Sequence, residues 1–246
     1  MSRHSKWSKI KNQKGGADQK RAAVFTKLSR MITIAARAGG DPVSNFKLRM
    51  IIDQAKSAEM PKDTIERAIA KGTGADKEST QLIEETYEGF GPGGTAFMVE
   101  IVTDNKNRTY QELRMAFSDH GGNLGGSGSV ARMFERRGVI RIATPLPAGE
   151  GRVRADQELE LKLIDTGADD IVIEDEGITV YTKSDELKTV EEKIRALGLT
   201  PESAGLEWIA KEKITPAESS RGQLEALQDA LDEMEDVSEY YTNAGL

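Results

Sequence analysis

The chain has 246 residues, 37% hydrophobic and 30% charged, enough for one or two domains with real cores. With no cysteine and only His4 and His120, disulfides, thiol nucleophiles, thiolate zinc sites and histidine-rich metal centres are excluded. The formal net charge of −7 hides an asymmetry: residues 1–77 hold 17 Lys+Arg against 7 Asp+Glu, and residues 78–246 hold 17 against 34.

Residues 1–16 carry Arg3, Lys6, Lys9, Lys11 and Lys14 with no acid, show no apolar period, and end in Gly15-Gly16. Such a segment cannot bury enough apolar surface to fold alone, and reads as an arm that orders on a partner. A helix is predicted from near Ala17, with Val24, Leu28, Met31 and Ala35 on one face and Phe25 and Ile32 widening it. Lys20, Lys27, Arg30 and Arg37 follow an adjacent flank, and Gly39-Gly40 ends the helix. A second helix runs through Leu48, Ile51, Ile52 and Ala55. Pro61 opens a third that ends at Gly72, with Asp63 and Glu66 near its start. Lys71–Thr80 reads as a polar linker.

Beyond the linker the period changes. Leu82–Gly89 and Thr95–Thr103 are predicted strands around a Gly91–Gly94 turn, followed by a helix over Arg108–His120. Gly121–Gly128 reads as a flexible loop. Val130–Phe134 and Val139–Ile142 are expected to form a hairpin closed at Arg137-Gly138, and Pro145–Gly151 another loop. Then come a helix over Ala155–Thr166, a hairpin of Ile171–Ile173 with Ile178–Tyr181, and a helix over Ser184–Leu197. A short strand at Leu206–Ile209, an acidic helix at Ser219–Met234 and a last strand at Val237–Tyr241 complete the chain. This mixed order defines an α+β protein, not the regular alternation of a parallel sheet.

Several motifs are weighed and set aside. Gly-Ser-Gly-Ser-Val-Ala at 126–131 formally fits the dinucleotide fingerprint, but a helix precedes it where a strand is needed. No Walker phosphate loop is present. The acidic clusters at Glu84-Glu85, Glu174–Glu176 and Asp232–Asp236, and the turn Asp104-Asn105 with Asn107, raise a Mg²⁺-dependent nuclease as an alternative. Solvated surface and turn formation account for the same residues. In the arm, Trp7 and His4 sit between lysines, a stacking platform of the kind used on single strands and folded RNA; Trp7 packing onto the helices is the plainer role. His120 reads as a helix-end partner and Tyr240-Tyr241 as core.

His4-Ser5-Lys6-Trp7, Lys20-Arg21 with Phe25–Leu28, and Met60–Asp63 running into Ile65–Ile69 resemble the YebC/PmpR family. So do Glu88–Gly94, Thr103–Asn105 with Asn107–Thr109, and Gly128–Val130 leading to Phe134–Arg136. The likeness extends to Tyr241 and Asn243, nearly the whole chain. Arg3 stands where many members have Gly, Ala23 and Ala70 where Lys is frequent, and Phe46 where Pro is. The resemblance implies a multidomain α+β fold: an N-terminal three-helix module followed by two ferredoxin-like α+β domains, the third inserted in the second. The expected boundaries are 1–78, 79–133 plus 206–246, and 134–205. Members are described as DNA-binding transcriptional regulators, or as ribosome-associated factors that relieve stalls at proline runs, mitochondrial translational activators of a cytochrome oxidase subunit among them. None is an established enzyme.

The expectation is therefore a non-enzymatic, cytoplasmic (or organelle-matrix) regulator of gene expression that needs no cofactor or metal. Arg3, His4, Lys6, Trp7, Lys9, Lys11, Lys14, Lys20, Arg21, Lys27, Arg30 and Arg37 are the candidate nucleic-acid contacts. Each neutralised phosphate contributes a salt-dependent increment. The partner is folded rRNA on the ribosome or duplex DNA, not a membrane, and the acidic domains could hold a protein partner. The third helix sets Lys62, Arg67 and Lys71 against Asp63 and Glu66, a poor major-groove reader, which favours RNA.

Overall fold

The computed structural model describes residues 18–75, 81–143, 151–174 and 177–245, leaving aside the side chains of 18–20, 151–157 and 174. Arg3, His4, Lys6, Trp7, Lys9, Lys11 and Lys14, residues 76–80 of the linker and the loop before Gly151 lie outside them. The chain forms two compact units: Met1–Glu135 with Trp208–Leu246, and Arg136–Glu207. The second is inserted in the sequence of the first.

Unit 1 begins with α1 (Asp18–Ala36), α2 (Phe46–Ser57) and α3 (Lys62–Gly72). Their apolar positions meet as expected. Leu28, Ile32, Ala35 and Ala36 pack with Leu48, Ile51, Ile52, Ala55, Met60, Ile65 and Ala68. Asn45 caps α2, its side chain accepting from the Leu48 N–H at 3.1 Å. Gly72 lies against α1, where a Cβ would come within 2.6 Å of the Ala36 methyl, so the α1–α3 approach requires glycine.

The rest of unit 1 is a four-stranded sheet of β1 (Ile83–Phe90), β2 (Ala96–Thr103), β3 (Asn123–Leu124) and β8 (Val237–Thr242), in the order β3-β1-β2-β8. Every adjacent pair in this sheet is antiparallel. β2 is buried on both faces, which explains its near-continuous apolar run. Phe97, Val99 and Ile101 pack on Leu113 and Phe117 of α4 (Lys106–Asp119) and on Leu224, Leu227 and Leu231 of α7 (Glu218–Glu233). On the other face Ala96, Met98 and Tyr241 meet Val130, Phe134 and Trp208.

Unit 2 is built from β4 (Phe134–Ile142), α5 (Gly151–Ile164), β5 (Asp170–Glu174), β6 (Gly177–Lys183), α6 (Leu187–Ala196) and β7 (Pro201–Ala210). The strands are ordered β5-β6-β4-β7, a strand–helix–strand–strand–helix–strand unit of ferredoxin-like type. Leu163, Ile178, Val180, Val190 and Ile194 are in its core.

Two strand expectations are corrected. The hairpin at Arg137-Gly138 does not form, because β4 runs unbroken and sets Gly138 opposite Thr182. A Cβ on Gly138 would lie 2.2 Å from Thr182 Oγ1, so this glycine serves close packing and not a turn. β7 is ten residues long, beginning at Pro201, where a missing N–H is tolerated at the first strand position. No helix among the described residues is long and apolar enough to cross a membrane.

Candidate nucleic-acid interface

The basic flank of α1 has a different assignment from the one its charge suggests. Lys27 is only 5% exposed, and its Nζ donates to the Asp232 carbonyl at 2.6 Å. Asp232 lies in the last turn of α7, where unsatisfied carbonyls attract a cation. Arg30 Nη1 donates to Asp236 Oδ1, and its Nη2 lies 3.6 Å from Glu235. Arg37 Nη1 donates to the Leu82 carbonyl at 2.8 Å. Arg21 pairs with Glu59 at 3.3 Å, with both side chains in solvent, a contact of little energetic weight. The side chain of Lys20 is outside the described residues. Lys27 and Arg30, expected as phosphate ligands, thus join the helical module to the acidic domain. They are drawn there by the carboxylates and carbonyls at the end of α7.

At the centre of that joint is Asp236, whose side chain is 4% exposed. It accepts from Thr109 Oγ1 at 2.6 Å, Arg108 Nη2 at 2.7 Å and Thr103 Oγ1 at 3.0 Å, besides Arg30. Burial alone would raise its pKa. The hydrogen bonds from Arg108, Thr109 and Thr103 and the charge of Arg30 outweigh that and hold the carboxyl below its ordinary value. Asp104 pairs with Arg108 at 2.9 Å, while Asn105 caps α4 by accepting from the Arg108 N–H at 3.1 Å. The Asp104-Asn105 turn therefore starts a helix, and no group of three His, Asp or Glu able to hold a metal ion occurs among the described residues.

Other cations of the module also have partners. Lys47 meets Glu84 at 2.9 Å and Lys62 meets Glu66 at 3.5 Å, while Arg67 Nε donates to the Asp63 carbonyl at 3.2 Å. Two of the three cations that α3 could have offered to a DNA groove are thereby engaged along their own helix. Lys71 has no ion pair among the described residues.

The glycine-rich loop is clamped where a flexible one was expected. Glu88, 8% exposed, accepts from the N–H groups of Gly128 at 2.7 Å, Val130 at 2.7 Å and Ala131 at 2.8 Å. Burial would push its pKa up, but these three donors pull it below the usual carboxylate range. They also fix the 3₁₀ turn Ala131–Met133 that follows. His120 Nδ1 lies 2.6 Å from the Ala116 carbonyl at the end of α4, a helix-end contact as expected.

Sequence reasoning passed over Glu88, Arg108 and Asp236. Asp236 falls in an acidic cluster that the sequence reads as solvated surface, whereas the structure buries it. Glu88, set in a strand, carried no signal of its role.

Comparison with known proteins agrees with this architecture. The family model described as the TACO1/YebC protein N-terminal domain matches residues 5–75, and that for the TACO1/YebC second and third domain matches 82–244. A probable transcriptional regulatory protein of Desulfosudis oleivorans is 44% identical over 247 residues, covering 100% of this chain and 97% of its own. One from Acidithiobacillus ferrooxidans is 47% identical over 244 residues, covering 99% and 94%. The crystal structure of a conserved hypothetical protein from Aquifex aeolicus superposes with a TM-score of 0.82 at 39% identity, covering 95% of each chain. The chain belongs to the TACO1/YebC family.

Proposed function

We propose that the protein is a non-enzymatic regulator of gene expression that anchors on nucleic acid through residues 1–16 and acts on the ribosome, relieving stalled translation. The observation that carries this reading is the commitment of Lys27, Arg30 and Arg37 to the acidic domain. With these engaged, Arg3, Lys6, Lys9, Lys11 and Lys14 stand out as a stretch of the helical module's sequence that carries cations and no acid. Trp7 and His4 lie within it and supply faces for stacking on unpaired bases. An arm of this kind suits crevices of folded RNA, whereas duplex reading wants a helix with base-facing side chains. In α3 the negative charges of Asp63 and Glu66 beside Lys62 and Arg67 oppose that use.

A second reading, a DNA-binding transcriptional regulator, is favoured by the names of the relatives. Sedimentation of a cell lysate at low and high salt separates the two, using the intact chain and one lacking residues 1–16. Salt-sensitive co-migration with ribosomes, lost on truncation, supports the ribosomal reading. If both forms stay at the top of the gradient while the intact chain shifts duplex DNA, the transcriptional reading replaces it.

A further inference from the structure

The described cations of unit 1 divide sharply. Most are held by a carboxylate, a carbonyl or an aromatic ring. Lys71, Arg114, Arg132, Lys211 and Lys213 have neither an ion pair nor a side-chain hydrogen bond among the described residues, and all five are exposed. Three of these five sit at neighbouring backbone positions. Arg132 projects from the 3₁₀ turn Ala131–Met133, and the Lys211 N–H donates to the Met133 carbonyl at 2.9 Å. Lys213 follows two residues later, beside the Ile214–Ala244 bridge. Glu135 and Glu212 are close in sequence and exposed, yet neither forms an ion pair with the three among the described residues.

The frame under these cations is rigid. Glu88 fixes Val130 and Ala131 by their N–H groups, and Met133, Phe134, Trp208 and Ala210 share one apolar cluster. Next to the turn is the exposed tip Gly126-Ser127-Gly128. Gly128 has φ +84°, so its backbone favours glycine. Gly126 does not lie in the left-handed region, and nothing comes within 4 Å of a Cβ built there. The fold itself therefore places no demand for glycine at 126. A missing side chain at an exposed tip allows another chain to approach the backbone closely.

We infer that Arg132, Lys211 and Lys213, beside the Gly126–Gly128 tip, form a second contact surface for the sugar–phosphate backbone of RNA. The inference rests on the nucleic-acid reading above. Among anionic partners, an RNA backbone suits neighbouring cations beside a bare tip, and it is the polymer proposed above for the arm. Asp236, at the module joint, immediately precedes β8, whereas the Ile214–Ala244 bridge lies just past its end. At about 3.3 Å per residue, this six-residue strand separates the joint from the patch by roughly 20 Å. Together with the proposed contact of the arm, the patch would give one chain two contacts to one polymer, and linking two weak contacts raises their joint affinity.

The test measures binding of the fluorescently labelled full chain to purified ribosomes over a series of potassium chloride concentrations. It compares the intact chain, a chain lacking residues 1–16, and a triple variant carrying Arg132→Gln, Lys211→Gln and Lys213→Gln. All three substituted side chains are exposed, so the thermal melts should coincide. Three lost phosphate contacts lower the magnitude of the log–log salt slope by about 2. The charge-keeping variant Arg132→Lys, Lys211→Arg, Lys213→Arg retains the slope. An unchanged slope in the triple variant, with a flattened one in the truncated chain, overturns the patch and leaves the arm standing. Absence of ribosome binding by the intact chain overturns the patch and the ribosomal reading together.

Discussion

Arg30 and Asp236, 206 positions apart, join the basic helical module to the acidic domain through a guanidinium–carboxylate contact. The contact is embedded: Asp236 is 4% exposed and also takes hydrogen bonds from Thr103, Arg108 and Thr109. A carboxylate so placed leaves two guanidinium groups and two hydroxyls without their acceptor when it is removed. Arg108 is 43% exposed and keeps Asp104, so Asp236→Ala should destabilise unit 1 by about 1–3 kcal/mol, the cost of leaving buried donors unsatisfied. Urea unfolding followed by tryptophan fluorescence measures it. A loss below about 1 kcal/mol would mean that the joint is incidental.

The same carboxylate makes stability depend on acid. Its folded pKa is depressed, so its contribution is complete above the unfolded value and is lost as pH falls through the folded one. Glu88 shifts in the same direction. Stability should therefore decline with falling pH from about 4 downward, and Asp236→Asn should flatten that decline. Equal slopes for the variant and the parent chain in urea titrations across this range would contradict the assignment.

Glu88 carries the corresponding load in the glycine-rich loop. A glutamine would turn an NH₂ group toward N–H donors that now share two carboxylate oxygens. Leaving buried donors unsatisfied costs about 1–3 kcal/mol. Glu88→Gln should speed hydrogen exchange at Gly128, Val130 and Ala131 well before it alters exchange in α1. Unchanged protection at these three amides would show that the loop is held by other contacts.

Elements that bury one face are readable because that period is local, and β2, buried on both, is readable from its apolar run. Leu28, Ile32 and Ala35 declare their packing within three turns, and Phe97, Val99 and Ile101 within five residues. Lys27 and Arg30 were not readable in this way. Their spacing places them on a flank of α1, but what that flank meets is set by Asp232 and Asp236, more than 200 positions later. Glycine misled for a related reason. The same residue type marks a turn at Gly93, with φ +69°, and a close approach at Gly138, and only the opposing strand distinguishes them.

Gly138 gives a test confined to unit 2. A methyl group there would sit 2.2 Å from Thr182 Oγ1 and 2.9 Å from Leu187 Cβ, contacts that require backbone movement in the strand pair. Overpacking of this kind costs about 1–3 kcal/mol. Gly138→Ala should expose Val139, Ile140 and Ile142 to exchange while the three-helix module keeps its protection. The double variant Gly138→Ala with Thr182→Ser should recover little, because the hydroxyl remains and can only rotate aside. Thr182→Ala should recover part of the loss.

Gly222 makes the opposite prediction. It lies in the second turn of α7, is exposed, falls outside the left-handed region, and has nothing within 4 Å of a built Cβ. Neither packing nor backbone geometry requires glycine there, and a helix-interior glycine is about 1 kcal/mol less favourable than alanine. Gly222→Ala should therefore raise the stability of unit 1 by about 0.5–1 kcal/mol, through the helix and through the smaller freedom of the unfolded chain. A urea midpoint that rises without a change in the denaturant slope would establish this. A lower midpoint would mean that the added methyl meets a contact that glycine avoids, and an unchanged one that the first turns of α7 fray in the folded protein.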